Sequence, residues 1–143
     1  MEMSYCERFT EVHYPLGRID PVADGTLVTP WVSLSNYHRA VVIVWTGNLT
    51  GTLDCQLWQA QDAAGTGAQI IVGKAITQLT AADDGVLVAI ELQTEELDVD
   101  NAFYCIQAVT VSGGQRDTYG VLILGLEPRC APTPVVNWDE VVP

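Results

Sequence analysis

The stretch from Arg39 to Thr46 constrains the chain most, because it strings together Val41, Val42, Ile43 and Val44 and is closed at once by Gly47-Asn48. β-Branched side chains are stiff in a helix and pack well on a pleated surface, so this run reads as a central core strand. The next segment, Gly51 to Ala60, alternates. Leu53, Cys55 and Leu57 share one face, with Asp54, Gln56 and Trp58 on the other, which is the two-residue period of a strand with a core side and a less buried side. No window of about twelve or more residues carries a convincing 3.6-residue apolar period. The expected class is all-β.

The remaining segments fit that class. Thr26 to Leu34 alternates around Pro30, which suits an edge strand or a bulge. Gln69 to Lys74, Val86 to Gln93, Phe103 to Val111 and Thr118 to Leu126 read as further strands. They are separated by the loop Asp62-Ala63-Ala64-Gly65-Thr66-Gly67, the turn at Asp83-Asp84-Gly85, an acidic corner at 95–101 and Gly113-Gly114. About seven or eight strands at this spacing predict an antiparallel β-sandwich or jelly-roll-like domain. Residues 21–128 are assigned to it. Residues 1–20, with Pro15 and Gly17 and no periodicity, read as an extended N-terminal arm, and 129–143, with Pro132, Pro134 and Pro143, as a Pro-rich C-terminal arm.

A length of 143 residues suits one domain. The chain carries 18 acidic against 6 basic residues and a net charge of −12, a balance that repels phosphate backbones and argues against direct nucleic-acid binding. With 48% hydrophobic residues it is not a disordered acidic tail. No apolar stretch approaches the ~20 residues of a membrane-spanning helix, so no membrane partner is expected. The N-terminus lacks the basic and apolar regions of a secretory signal, and export by that route is not expected.

Chemistry is sparse. Cys6, Cys55, Cys105 and Cys130 are spaced by 49, 50 and 25 residues, with no close ligand pair for zinc; free, mostly buried thiols are the default, and a Cys6–Cys130 pair is left open for an oxidising environment. His13 and His38 have no partner motif and read as surface or interface histidines. Hydrolase, zinc-protease and nucleotide-binding signatures are absent, and Gly65-Thr66-Gly67 lacks the third glycine and following helix of a dinucleotide loop. No enzyme and no cofactor are expected. Asp98, Asp100 and Asn101 form a weak calcium candidate without the glycine and distal glutamate of an EF-hand, and Asx turns at a strand corner account for them as well. Asn48-Leu49-Thr50 fits a glycosylation acceptor but reads as a turn.

Cys55 and Cys105, with Asp100-Asn101-Ala102-Phe103-Tyr104-Cys105, imitate an immunoglobulin tyrosine corner. The motif is one residue short, and Trp58 follows its cysteine too closely, so immunoglobulin homology is rejected. Trp45 reads as core. Trp58, beside Asp54 and Gln56, reads as half-exposed, fit for a subunit contact or, with Trp31, for sugar stacking.

Four segments in order, Pro21-Val22-Ala23-Asp24-Gly25, Val32-Ser33-Leu34-Ser35-Asn36-Tyr37-His38-Arg39, Gln59-Ala60-Gln61-Asp62-Ala63-Ala64-Gly65-Thr66-Gly67-Ala68 and Leu97-Asp98-Val99-Asp100-Asn101-Ala102-Phe103-Tyr104, resemble small virion proteins of tailed bacteriophages over roughly residues 20–128. The resemblance implies a structural head component, most like a decoration (cement) protein that binds the outer capsid surface and clamps capsomers. The major capsid protein would be its partner, and a homotrimer its state. Neck or tail components, or a carbohydrate- or calcium-dependent adhesion module, are the alternatives. Docking is then expected to bury Tyr14, Leu16, Trp58, Val135, Val136 and Trp138.

Overall fold

The structure, a computed structural model, describes residues 25–129 and the backbone of Val12–Arg18. Nine strands run in chain order: β1 (Val12–Arg18), β2 (Gly25–Val28), β3 (Val32–Ser33), β4 (Tyr37–Thr46), β5 (Leu53–Ala60), β6 (Gln69–Ala75), β7 (Leu87–Gln93), β8 (Cys105–Ser112) and β9 (Tyr119–Pro128). Two short 3-10 turns, Thr94–Glu96 and Val99–Asn101, join β7 to β8. All pairings are antiparallel. Sheet A has the order β1-β9-β4-β7 and sheet B the order β2-β8-β5-β6, with β3 also on β8. The chain is an all-β antiparallel sandwich.

The core lies where the inner faces meet. Val42, Val44, Ile90, Leu92, Val121 and Ile123 come from sheet A, and Leu53, Cys55, Leu57, Ile71, Ile106 and Ala108 from sheet B. β5 follows the alternation read from its sequence: Leu53, Cys55 and Leu57 are buried, and Asp54, Gln56 and Trp58 half-buried. Pro30 falls in the break between β2 and β3, where no ladder donor is needed.

Two sequence readings meet a different geometry. Part of the segment read as an arm, Val12–Arg18, is an edge strand on β9. Its register shifts between His13 and Leu16, a bulge that accommodates Pro15 and hides the two-residue period from a reader of the sequence. Trp45, read as core, is 37% exposed. β4 is apolar on both faces, so the run gives no sign of which residues point inward. From Ala40 onward the buried positions are Ala40, Val42, Val44 and Thr46, which turns Trp45 outward. There its ring occupies the space a side chain on Gly120 would need.

One end of the sandwich is tied by a carboxylate. Asp117 is fully buried. Its Oδ1 accepts the backbone N–H of Thr50 at 2.6 Å, that of Gly51 at 3.2 Å and the Thr50 hydroxyl at 3.1 Å. Oδ2 accepts the Ser112 hydroxyl at 2.6 Å and the Gly114 N–H at 3.0 Å. These donors belong to the β4–β5 connection, the end of β8 and the β8–β9 connection, two of the places at this end where the chain crosses between sheets. Burial pushes the Asp117 carboxyl up, but the donors from Ser112, Thr50 and Gly51 outweigh it and hold the group below its ordinary value.

A folded-state pKa below the unfolded one gives stability that is present above the ordinary carboxylate range and is lost as pH falls through it. Asp117→Ala is expected to lower unfolding stability at neutral pH by about 2–4 kcal/mol, the cost of stranding buried donors. In urea titrations the gap between wild type and variant narrows below about pH 4. A gap unchanged down to pH 2.5 (roughly the limit of such a titration) would contradict this role.

Candidate interaction surface

At the opposite end, three of the four segments singled out in the sequence come together. Ser33 pairs with Cys105. The Leu34 N–H donates to the Tyr104 carbonyl at 2.8 Å, and the Tyr104 N–H to the Ala60 carbonyl at 3.2 Å. Gln61 Nε2 donates to the Asn101 carbonyl at 2.9 Å, and the Asp98 N–H to Gln59 Oε1 at 2.9 Å. Within the glycine loop, Asp62 accepts the N–H groups of Ala64 and Thr66 and, at 2.6 Å, the Thr66 hydroxyl. That hydroxyl is the first cause of a lowered Asp62 pKa. Gly65 sits at φ 84 with its Cα against the Trp31 indole; an added Cβ would lie 2.6 Å from Nε1. The residues of these segments bind each other.

The calcium candidates lie in this cluster. Both Asp98 carboxylate oxygens accept from Asn101 Nδ2, at 3.0 and 2.9 Å, so Asn101 presents its donor side to Asp98 and the pair closes the corner. Ala102 ends the turn in the left-handed region at φ 62. Asp100 is exposed. Among the described residues no group of three or more His, Cys, Asp or Glu side chains is placed to share an ion, and no helix is long and apolar enough to cross a membrane.

Cys55 and Cys105 are free and buried. Both lie in sheet B, on β5 and β8, where Cys55 faces Thr110 and Cys105 faces Ala60. An immunoglobulin bridge joins two sheets, and this arrangement does not reproduce it. Burial raises the Cys55 thiol to about 12. Burial first, then the Asp62 charge, raises Cys105. His38 is exposed at the start of β4.

The outer face of sheet A is apolar along β4 and β9, with its core strands half-buried. Alternation places Val41 and Ile43 of β4 beside Leu124 and Leu122 of β9, and Leu126 beside Arg39. Trp45 neighbours Leu87 of β7, which is 72% exposed. Charge returns at the far end. There a cleft of about 350 Å³ is lined by Arg39, Val41, Lys74, Glu91, Glu96 and Leu126. Its cations are engaged: Lys74 Nζ lies 2.9 Å from Glu96 Oε1, and Arg39 Nε lies 3.1 Å from Glu127 Oε2.

Sequence reasoning missed this face, although the unbroken apolar run of β4 was its signal. Of the residues it named for docking, Trp58 is on the outer face of sheet B between Ile70 and Gln107, its indole N–H buried and without a partner. That face is mixed, since Val28, Val111 and Ile70 share it with Thr26, Asp54 and Gln56. Tyr14 and Leu16 lie on β1 at the edge of sheet A, with side chains outside the described residues. Val135, Val136 and Trp138 also lie outside them, as do Cys6 and Cys130.

No family model and no curated protein matches the chain. Among solved structures it is similar to a crystal structure of PirA, at TM-score 0.45 and 17% identity over 87% of this chain and 96% of that one. It is also similar to a structure of infectious bursal disease virus Gt strain, at TM-score 0.24 and 10% identity over 90% of this chain and 40% of that one.

Two outcomes follow from the geometry. Gly65→Ala must place a methyl group against the Trp31 ring at a positive φ, and is expected to cost about 1–3 kcal/mol in chemical denaturation. Aromatic thiol reagents should leave Cys55 unmodified in the folded protein and label it at once in denaturant; rapid labelling of the native state would contradict its burial.

Proposed function

We propose that this chain is a non-catalytic structural module that works by docking, and that it does so on the head of a tailed phage as a decoration protein bridging capsomers. The outer face of sheet A is the observation that carries the reading. A −12 chain with a sheet face of valine, isoleucine, leucine and tryptophan has gathered apolar area where charge would serve solubility better. Such a face, depleted of charge at its centre and rimmed by Arg39 and Glu91, has the layout of a protein-binding surface. The phage setting is supported by the four segments between Pro21 and Tyr104. The proposed partner is the major capsid protein, with self-association as a trimer.

Particles carrying the protein should retain it through density-gradient purification, and antibody labelling should cover the head. Ile43→Lys and Leu122→Lys, both on the outer face, are expected to leave the circular-dichroism spectrum intact and to reduce retention on particles at least about tenfold, the loss expected when a charge is buried against an apolar partner. A protein absent from particles and monomeric at all concentrations would overturn the reading. Label confined to the neck or tail would move the site of action away from the capsid shell.

A further inference from the structure

We propose that β7 is a self-association edge, where two copies of this chain pair antiparallel about a two-fold axis at Val88 and join their copies of sheet A into one continuous sheet. The observation is a sheet edge left unguarded. Edges are ordinarily closed to outside strands by bulges, prolines, charges or shortness. β1 carries Pro15 and a register shift, and the four-residue β2 ends two residues before Pro30. On β6 the register to β5 slips between Trp58↔Ile70 and Gln56↔Ala75, so residues 71–74 bulge opposite Leu57, with Gly73 at φ 80. β7 has none of these devices between Leu87 and Ile90.

The phase of the β4–β7 ladder decides what that edge offers. The Thr46 N–H donates to the Val86 carbonyl at 3.0 Å, so Val88, Ile90 and Leu92 exchange hydrogen bonds with β4. Leu87, Ala89, Glu91 and Gln93 turn their N–H and C=O groups to the open side. The far half of that side is filled, since Lys74 Nζ donates to the Glu91 carbonyl at 2.7 Å and the Gln93 N–H to Glu96 Oε2 at 2.7 Å. The near half is open. Among the described residues nothing bonds the outward backbone groups of Leu87 and Ala89, and both side chains are exposed.

The edge is complementary to itself. A two-fold axis at Val88 sets Leu87 opposite Ala89 of the second copy, and Ala89 opposite its Leu87. Each pair exchanges an N–H and a C=O in both directions, so every open group finds a partner. A large side chain meets a small one in each pair, and no charge lies between Val86 and Ile90. One step beyond, the same register carries Glu91 to Gly85 of the second copy, where no side chain intervenes. Lys74, the chain's single lysine, is held at the Glu91 carbonyl and is thereby brought to Asp83 and Asp84 of the second copy. That is charge complementarity at the contact between chains that each carry −12 overall. The inference goes beyond the docking reading and does not rest on it: it uses the sheet edge, whereas docking uses the outer face, and it joins copies whose three-fold contact lies elsewhere.

The test uses the full chain. In a background with Cys6→Ser and Cys130→Ser, Val88→Cys sets two thiols directly opposite across the axis, in a non-hydrogen-bonded pair whose Cα atoms lie roughly 4.5 Å apart. With oxidised glutathione it should link chain to chain at least about tenfold faster than Ala89→Cys, whose counterpart in the second copy is out of register. In sedimentation velocity the unaltered chain should associate increasingly with concentration. Ala89→Pro removes an N–H that β4 does not use, and Leu87→Lys places a charge on the edge; each should leave the circular-dichroism spectrum intact and weaken association at least about tenfold. Equal linking rates for the two cysteine variants, no association at any concentration, or association equally strong in Ala89→Pro and Leu87→Lys would each overturn the proposal.

Discussion

The Asp117 carboxylate is the interaction on which the two sheets depend for their relative placement. β4 and β9 belong to sheet A, β5 and β8 to sheet B, and both connections between these pairs pass through its hydrogen bonds. A tight turn within one sheet fixes register through its own ladder. A crossover between sheets has no ladder to guide it, and its backbone N–H groups need acceptors that secondary structure does not supply. Asp117 satisfies donors from both crossovers at once, so one charged group adds direction to the packing of the two inner faces. Tyr119, two residues on, extends the tie inward, its hydroxyl 2.9 Å from that of Thr110 across the core.

With the sheets placed, β4 and β9 acquire their unusual position. They pair over nearly their whole length at the middle of sheet A, with inner residues in the core and outer residues still apolar. A sheet packed on one face alone would show polar residues at alternate positions. Sheet B comes closer to that pattern, since Asp54, Gln56 and Gln107 interrupt its outer face. The contrast between the two sheets, more than any cleft, gives the surface its direction. Lys74 and Arg39, two of the six basic residues, meet glutamates at the end of the apolar face, which leaves its centre to dispersion and burial.

Legibility followed how cleanly each segment obeyed one period. β5 could be read residue by residue because apolar and polar positions alternate without exception from Leu53 to Leu57. β4 could be identified as a strand but not oriented, because apolar residues on both faces carry no alternation, and Trp45 was misplaced for that reason. β1 was obscured by the bulge at Pro15, which shifts the period mid-strand. Asp117 was invisible as a structural anchor: between Arg116 and Thr118 it looks like any loop aspartate, and its role depends on Thr50 and Ser112, which are near it only in the fold. The loop motifs were visible as a pattern, but their mutual hydrogen bonding at one end of the sandwich required coordinates.

The two ends of the sandwich therefore divide the work. At the Asp117 end a buried charge is held by short hydrogen bonds, a directional arrangement that resists displacement of one sheet over the other. At the motif end the contacts are backbone bonds, side-chain bonds of Gln59, Gln61 and Asp62, an Asp98–Asn101 pair and a tryptophan against a glycine. β9 runs from the first end to the second, and β1 leaves the described fold beside the end of β9. Opening of the ladder is expected to start where β1 lies on the sheet edge with a neighbour on one side only.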